Sequence, residues 1–402
     1  MRGPRAFLLL LVVLLATRGP LPAAAQPPGA TRPGVDVLLE SPGLLQGRRI
    51  GVVTHAAGIT SAGEPTWAVL RRDPRFQVTA LFAPEHGLAG TVPAGRPVPD
   101  GNGDVPVFSL YGRTRRPTPA MLAHVDVFLV DLQDVGARAY TYASTMALVM
   151  QAAREAGKPV VVLDRPNPMG GLHLDGPVLA PPYQSFIGLY PIPLVHGMTI
   201  GELAQLFNGL FDIGADLTVV PMRGWTRRMT WQETGLPWVR PSPNIPTMLT
   251  PFYYAATGVL DGTTLSAGVG TDTPFQLVHS PWLDGVRLAA RLNAARLPGV
   301  VFEPHALQPE EPPRAVRLVV TDPLRFRPAT TAVHILVETR RLHGPLLEFV
   351  PRGGRYMFDL VWGTNSVRKA IERGAPAWAI VARWEAELRR FQMLRSPYLL
   401  YP

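Results

Sequence analysis

Four stretches of the chain place ionisable and amide side chains directly after short apolar runs. RIGVVT ends at Thr54 and is followed by His55, and QVTALF leads into Ala83-Pro84-Glu85-His86-Gly87. VDVFLVDL runs into Asp131, Gln133 and Asp134, then Arg138, Tyr140 and Tyr142. VVVLD ends in Asp164-Arg165-Pro166-Asn167-Pro168. One carboxylate after a strand is most often a helix cap or a turn residue. Four polar strand ends together are poorly explained by packing. In open parallel sheets ligands bind beyond the carboxyl ends of the strands. The chemistry implied is a polar, sugar-like pocket.

The elements that would position these residues follow from the same runs. Strands are expected over Arg49–Thr54, Gln77–Phe82, Val105–Leu110, Val125–Leu132, Val160–Asp164 and Leu217–Pro221. Helices are expected over Trp67–Arg72, Pro117–Ala123, Thr141–Ala156 and Thr199–Phe211, the last opened by Thr199 with Glu202 as a capping box. Near-continuous apolar strands alternating with helices predict a parallel sheet covered on both faces. Residues 39–222 therefore read as a Rossmann-like α/β domain. No G-x-G-x-x-G follows a strand and there is no P-loop, so nucleotide binding does not follow. From Arg223 the texture changes. Trp225, Trp231 and Trp238 share a proline-rich stretch, with helices expected near Gly285–Leu297 and Ala377–Leu394 and a strand at Val316–Thr321. Residues 223–402 read as a second, α+β domain.

Composition sets the limits. Of 402 residues, 47% are hydrophobic and 17% charged, which excludes a disordered polar chain. The 44 prolines stiffen the connections, and no Gly-X-Y repeat accompanies them. Arg2 and Arg5, the apolar run Ala6–Ala16 and Ala23-Ala24-Ala25 read as a secretory signal over residues 1–25. A proline-glycine linker is expected over residues 26–38. An exported protein, periplasmic or extracellular, with no stable membrane anchor once the signal is removed, is the expectation. There is no cysteine, which excludes disulfides, thiol catalysis and cysteine-held metals. The formal net charge of +9 comes without a dense basic run interleaved with aromatics, so nucleic acid is not an expected partner. No metal motif is present and no cofactor is expected.

Eight motifs, taken in order, carry a family resemblance. They are PEHG, DLQDVGARAYTY, DRPNPMGG, GPVL, GLYPIPLVHGMTIGEL, GWTRRMTW, GLPWVRPSPNIPT and DGTTLSAGVGT. They closely resemble the motifs of the NamZ-like exo-β-N-acetylmuramidases over nearly the whole mature chain. The resemblance implies a Rossmann-like domain plus an α+β domain, with the active site in the cleft between them. It implies a glycoside hydrolase that releases terminal N-acetylmuramic acid from peptidoglycan-derived oligosaccharides or muropeptides. The competing class is a non-catalytic exported sugar-binding protein, which needs aromatics and amides but no placed acid.

Hydrolysis of a glycoside needs an acid to protonate the leaving oxygen. Glu85, held by Pro84 at a strand end, is the expected acid, with His86 tuning it or sharing the proton. The second role falls to Asp131, Asp134 or Asp164, unless the substrate's acetamido group supplies it. Arg138 and Arg165 are the expected forks for the lactyl carboxylate. Asn167, Gln133 and Asn244 are expected at hydroxyl or acetamido groups, and Tyr140 and Trp238 at a sugar face. His55 and His196 complete the lining. Where the family pattern reads G-R-G-T, this chain has Gly268-Val269-Gly270-Thr271, so Thr271 is kept as a binding candidate and an expected arginine is missing.

Overall fold

The computed structural model describes residues 30–402. The expected signal, and residues 26–29 of the expected linker, lie outside them. The linker expectation is corrected at its other end. Gly34–Glu40 forms a helix, α1, in which Val35 and Leu38 are buried. Its backbone packs closely on the sheet, because Gly34 has no Cβ. One built there would lie 2.6 Å from both the Asp164 nitrogen and the Val220 oxygen.

The chain then alternates as its apolar periodicity requires. β1 (Arg49–Thr54), α2 (Thr66–Arg72), β2 (Gln77–Ala83) and a short edge pair, β3 (Gly101–Asn102) and β4 (Pro106–Ser109), come first. After them come α3 (Pro119–Leu122), β5 (Val127–Asp131), α4 (Tyr142–Glu155) and β6 (Val160–Leu163). A small antiparallel pair, β7 (Asp175–Val178) and β8 (Pro193–Val195), precedes α5 (Ile200–Gly209) and β9 (Leu217–Val220). Seven strands form one sheet in the order β3-β4-β2-β1-β5-β6-β9, parallel except for the edge strand β3. β5 is buried at every position, as a central strand covered on both faces must be.

The strand order decides where a ligand can bind. From β1 the chain adds β2 and then β4 on one side, and from β5 it adds β6 and β9 on the other. The reversal between β1 and β5 is a topological switch point, which opens a crevice at their carboxyl ends. Thr54 and Asp131 pair across that point.

The second half is α+β. β10 (Leu277–His279), β11 (Val300–His305) and β12 (Ala315–Val320) make an antiparallel sheet in the order β10-β12-β11. α6 (Thr250–Thr257), α7 (Gly285–Ala294) and α8 (Pro328–His343) pack against one another and on this sheet. The helix expected over Ala377–Leu394 is interrupted. Ala377–Val381 and Glu385–Arg395 are α-helical, with a tighter turn between them.

Candidate active site

Glu85 sits just past the end of β2, 7% exposed. Gly95 N–H donates to its Oε1 at 2.8 Å and the Thr141 hydroxyl donates to its Oε2 at 2.7 Å. The turn that carries it is strained. His86 has φ +73, which only glycine adopts freely. The strain is held by its Nδ1, 2.7 Å from the Val92 carbonyl. A carbonyl only accepts, so Nδ1 carries a proton.

Tyrosines close around the carboxylate. Tyr142, at the start of α4, donates to the Pro241 carbonyl at 2.7 Å and lies 3.2 Å from the Glu85 carbonyl. Its ring packs edge-on to those of His55 and Tyr140, each at 4.7 Å. Tyr254 comes from α6 in the second half, with its ring 5.9 Å from that of Tyr140. Burial, and then the charges of nearby groups that include Glu85 and Asp134, hold the protons on Tyr142 and Tyr254 more tightly than usual. Both carboxylates are thus near enough to these tyrosines for their charges to be felt there.

On the β5 side, Asp134 accepts from Gly136 N–H at Oδ1, 2.7 Å away. His196 Nε2 stands 3.7 Å from that oxygen. Met198 N–H donates to His196 Nδ1, so Nε2 holds the ring's hydrogen and points it at the carboxylate. Asp134 Oδ2 is buried without a hydrogen-bond partner, as are Gln133 Oε1, His55 Nδ1 and the Tyr140 hydroxyl. Orphaned buried polar atoms are rare and costly. Asp134 Oδ2 and Gln133 Oε1, just past the end of β5, are what a polar ligand would satisfy. His55 Nε2 accepts from Gln133 N–H at 2.9 Å, and burial pulls the ring down to about 3, so it is neutral.

Several expected residues have other duties. Asp131 is corrected as a catalytic candidate, because both its oxygens are taken by Arg165, from Nε at 2.5 Å and Nη2 at 2.8 Å. That fork, together with a bond to the Ile59 carbonyl, also removes Arg165 as a reader of substrate. Asp164 is corrected as well. It accepts from the Thr199 hydroxyl, Gly201 N–H and Tyr401 hydroxyl, and so caps α5 and holds the C-terminus. Gly201 allows this approach, since a Cβ there would lie 2.7 Å from the Asp164 carboxyl carbon. Arg138 donates from its two Nη atoms to the carbonyls of Pro177, Ile192 and Val361, while its Nε is buried without a partner. Asn167 braces its own turn through Met169 N–H and the Met198 carbonyl. Gln133 spends its amide nitrogen on the carbonyls of Asp134 and Pro166. Thr271 is exposed, and its hydroxyl bonds within its turn, to Gly268.

Trp238 is half-buried, edge-on to Trp231 at 4.9 Å, in the strap that joins the halves. Asn244, in the same strap, is half-buried. Thr141, Tyr142 and Tyr254 were given no role by sequence reasoning. The first two adjoin a polar strand end, which was the available signal, and Tyr254 carried none. Two open hollows of about 500 and 610 Å³, lined in part by Arg296 and Arg325 and by Arg116 and Lys158, include neither Glu85 nor Asp134. Chemistry rather than volume marks the site.

Comparison with known proteins agrees with this architecture. A family model described as "Exo-beta-N-acetylmuramidase NamZ, N-terminal" matches residues 50–249, and its C-terminal counterpart matches residues 252–401. The peptidoglycan beta-N-acetylmuramidase NamZ of Bacillus subtilis (strain 168) is 44% identical over 378 residues, which cover 92% of this chain and 91% of that protein. Two crystal structures of DUF1343 family proteins from Bacteroides fragilis NCTC 9343 are similar in fold. One has a TM-score of 0.85 at 35% identity, covering 94% of this chain and all of its own. The other has a TM-score of 0.70 at 31% identity, covering 92% of this chain and 99% of its own.

Proposed function

The chain belongs to the NamZ family of exo-β-N-acetylmuramidases, and from that premise we propose that Glu85 and Asp134 carry its reaction. It is an exo-acting glycoside hydrolase that releases terminal β-linked N-acetylmuramic acid from peptidoglycan fragments. Hydrolysis breaks the bond between the anomeric carbon and the leaving oxygen. Glu85 delivers the proton that oxygen needs, and water supplies the new oxygen at the anomeric carbon. Positive charge grows on the sugar ring as the bond stretches. A fixed carboxylate beside it stabilises that charge without reorganising.

The observation that carries the assignment is the free Oδ2 of Asp134. Of the carboxylates after β5 and β6, Asp131 and Asp164 are saturated, and Asp134 alone keeps a buried, unpartnered oxygen. The Tyr140 hydroxyl, Gln133 Oε1 and His196 are in position to meet the sugar's hydroxyl and acetamido groups.

We further propose that the protein works outside the cytoplasm, on cell-wall fragments. The support is the Arg2/Arg5, Ala6–Ala16 and Ala23-Ala24-Ala25 pattern and the absence of cysteine. No helix of the described residues is long and apolar enough to cross a membrane.

The test is hydrolysis of a chromogenic β-N-acetylmuraminide and of its β-N-acetylglucosaminide analogue by the wild type and D134N. The muraminide should be cleaved. D134N should lose on the order of 10²- to 10⁴-fold in rate while melting near the wild-type temperature. D134N activity within a few-fold of wild type would remove Asp134 from the mechanism.

A further inference from the structure

Three arginines crowd one loop after β4, and they are not alike. Arg113 pairs with Asp100, and Arg116 pairs with Glu155. Arg115, between them, makes no ion pair among the described residues, and its Nη1 is buried with no hydrogen-bond partner. The guanidinium instead lies 3.4 Å over the ring of Tyr111 and 4.8 Å from that of Phe186. The loop is built to present it. The Thr114 hydroxyl bridges across Arg115, donating to the Arg116 carbonyl at 2.6 Å and accepting from Arg116 N–H at 3.0 Å.

The ring beneath this cation borders the proposed acid. Burial, and then the neighbouring Glu85 charge, push the Tyr111 hydroxyl up to about 12. Ala83 of β2 pairs with Ser109 of β4, so Glu85 and Tyr111 leave the sheet side by side, two residues beyond that pair, with Arg115 stacked on the Tyr111 ring. Stacking on the Tyr111 ring fixes the planar guanidinium, and Nη1 is left without a protein partner, which suits a carboxylate. Of the two arginines first expected to serve this purpose, Arg165 is taken by Asp131, and both Nη atoms of Arg138 are held by backbone carbonyls.

We propose that Arg115 is the specificity residue that receives the lactyl carboxylate of N-acetylmuramic acid. The proposal rests on the hydrolytic reading above for the identity of the sugar. The lactyl group branches from C3, two ring atoms from the anomeric carbon. Its carboxylate must therefore lie beside the acid rather than on it, and the end of β4, next to that of β2, is such a place. An uncharged substituent at C3 leaves the guanidinium unpaired, and the enzyme discriminates against it.

Two readouts test this separately from the reaction. Calorimetric titration of wild type and R115Q with N-acetylmuramic acid and with its lactyl amide measures recognition alone. Hydrolysis of the corresponding aryl β-glycosides measures the effect on turnover. Wild type should prefer the acid. R115Q should weaken acid binding about 10- to 150-fold, with amide binding changed less than about threefold. R115K should restore part of the preference, because it keeps the charge without the fork. Equal weakening toward acid and amide in R115Q, or a wild type with no preference for the acid, would overturn the assignment. Should R115Q fail to fold, a soluble R115K with undiminished preference for the acid would overturn the stacked fork. Acid-selective binding without hydrolysis would sink the hydrolytic reading and leave Arg115 in place. Hydrolysis without acid selectivity would do the reverse.

Discussion

Glu85 is held on both oxygens, from Gly95 and Thr141, at the tip of a strained turn. That arrangement fixes the orientation of its carboxyl group. E85Q keeps the shape and cannot deliver a proton. With a sugar leaving group the loss should be on the order of 10²- to 10⁴-fold in rate. An aryl leaving group needs little protonation, so bond cleavage with such a substrate should suffer far less. Equal losses on both substrates together with a lowered melting temperature would mean that Glu85 only supports the turn. Glu85 was legible from sequence because an acid in Pro-Glu-His-Gly after a strand has few packing uses. Asp134 was visible only as one of three carboxylates, since nothing in the spacing says which of them a distant arginine or hydroxyl will occupy.

At the scale of elements, the strand ends divide into scaffold and site. Asp131 and Arg165 tie the end of β5 to the segment after β6, both fully or nearly fully buried. Breaking such a pair leaves an uncompensated buried charge, typically at a cost of about 3–5 kcal/mol. D131N should therefore lower the denaturation midpoint sharply while the residual folded enzyme keeps its preference for muramic substrates. A D131N protein as stable as wild type but inactive would restore Asp131 to catalysis.

Asp164 gives a pH signature. Burial pushes it up to about 7, against partial opposition from the Tyr401, Gly201 and Thr199 hydrogen bonds. Between about pH 4 and 7 the folded chain keeps a proton that the unfolded chain has released. The stability from this group is thus complete below about pH 4 and is lost as pH rises through 7. His55, pulled down by burial to about 3, acts in the opposite sense, losing stability as pH falls below about 6.5. The two slopes offset each other in the wild type. The stability difference between wild type and D164N isolates the first, and it should decline by up to about 1.4 kcal/mol per pH unit across that window. A pH-independent difference would show that Asp164 stays ionised when folded.

At the scale of the whole molecule, Arg138 joins the halves. Its guanidinium bonds Pro177 and Ile192 in the first half and Val361 in the second, and burial pulls it down to about 9, still charged at neutral pH. The Ile192 carbonyl also accepts from Leu179 N–H, which leaves two carbonyls stranded at about 1–3 kcal/mol each, so R138M should cost at least about 2 kcal/mol and speed hydrogen exchange around Val361. An R138M protein with unchanged melting and exchange would show that the halves are held by other contacts. The C-terminal tail is a second tie. Leu400 N–H donates to Glu202 and the Tyr401 hydroxyl to Asp164, so these residues dock on the first half.

Sequence alone determined the alternation of apolar strands and helices, hence the parallel sheet and the strand ends where chemistry gathers. These are local properties, set by side-chain period and by caps such as Thr199 with Glu202. It also singled out Glu85, through a motif with little structural use. Sequence could not say which polar groups pair with each other, because pairing depends on residues tens to hundreds of positions apart. Asp131 meets Arg165, Asp164 meets Tyr401, and Arg138 meets Val361 only once the sheet is wound and the second half is docked. Burial then makes each pairing decisive, since a buried charge must find a partner or a ligand. The tertiary structure thus assigned Asp131, Asp164, Arg138 and Arg165 to the scaffold, and it left Asp134 and Arg115 with groups still unpaired.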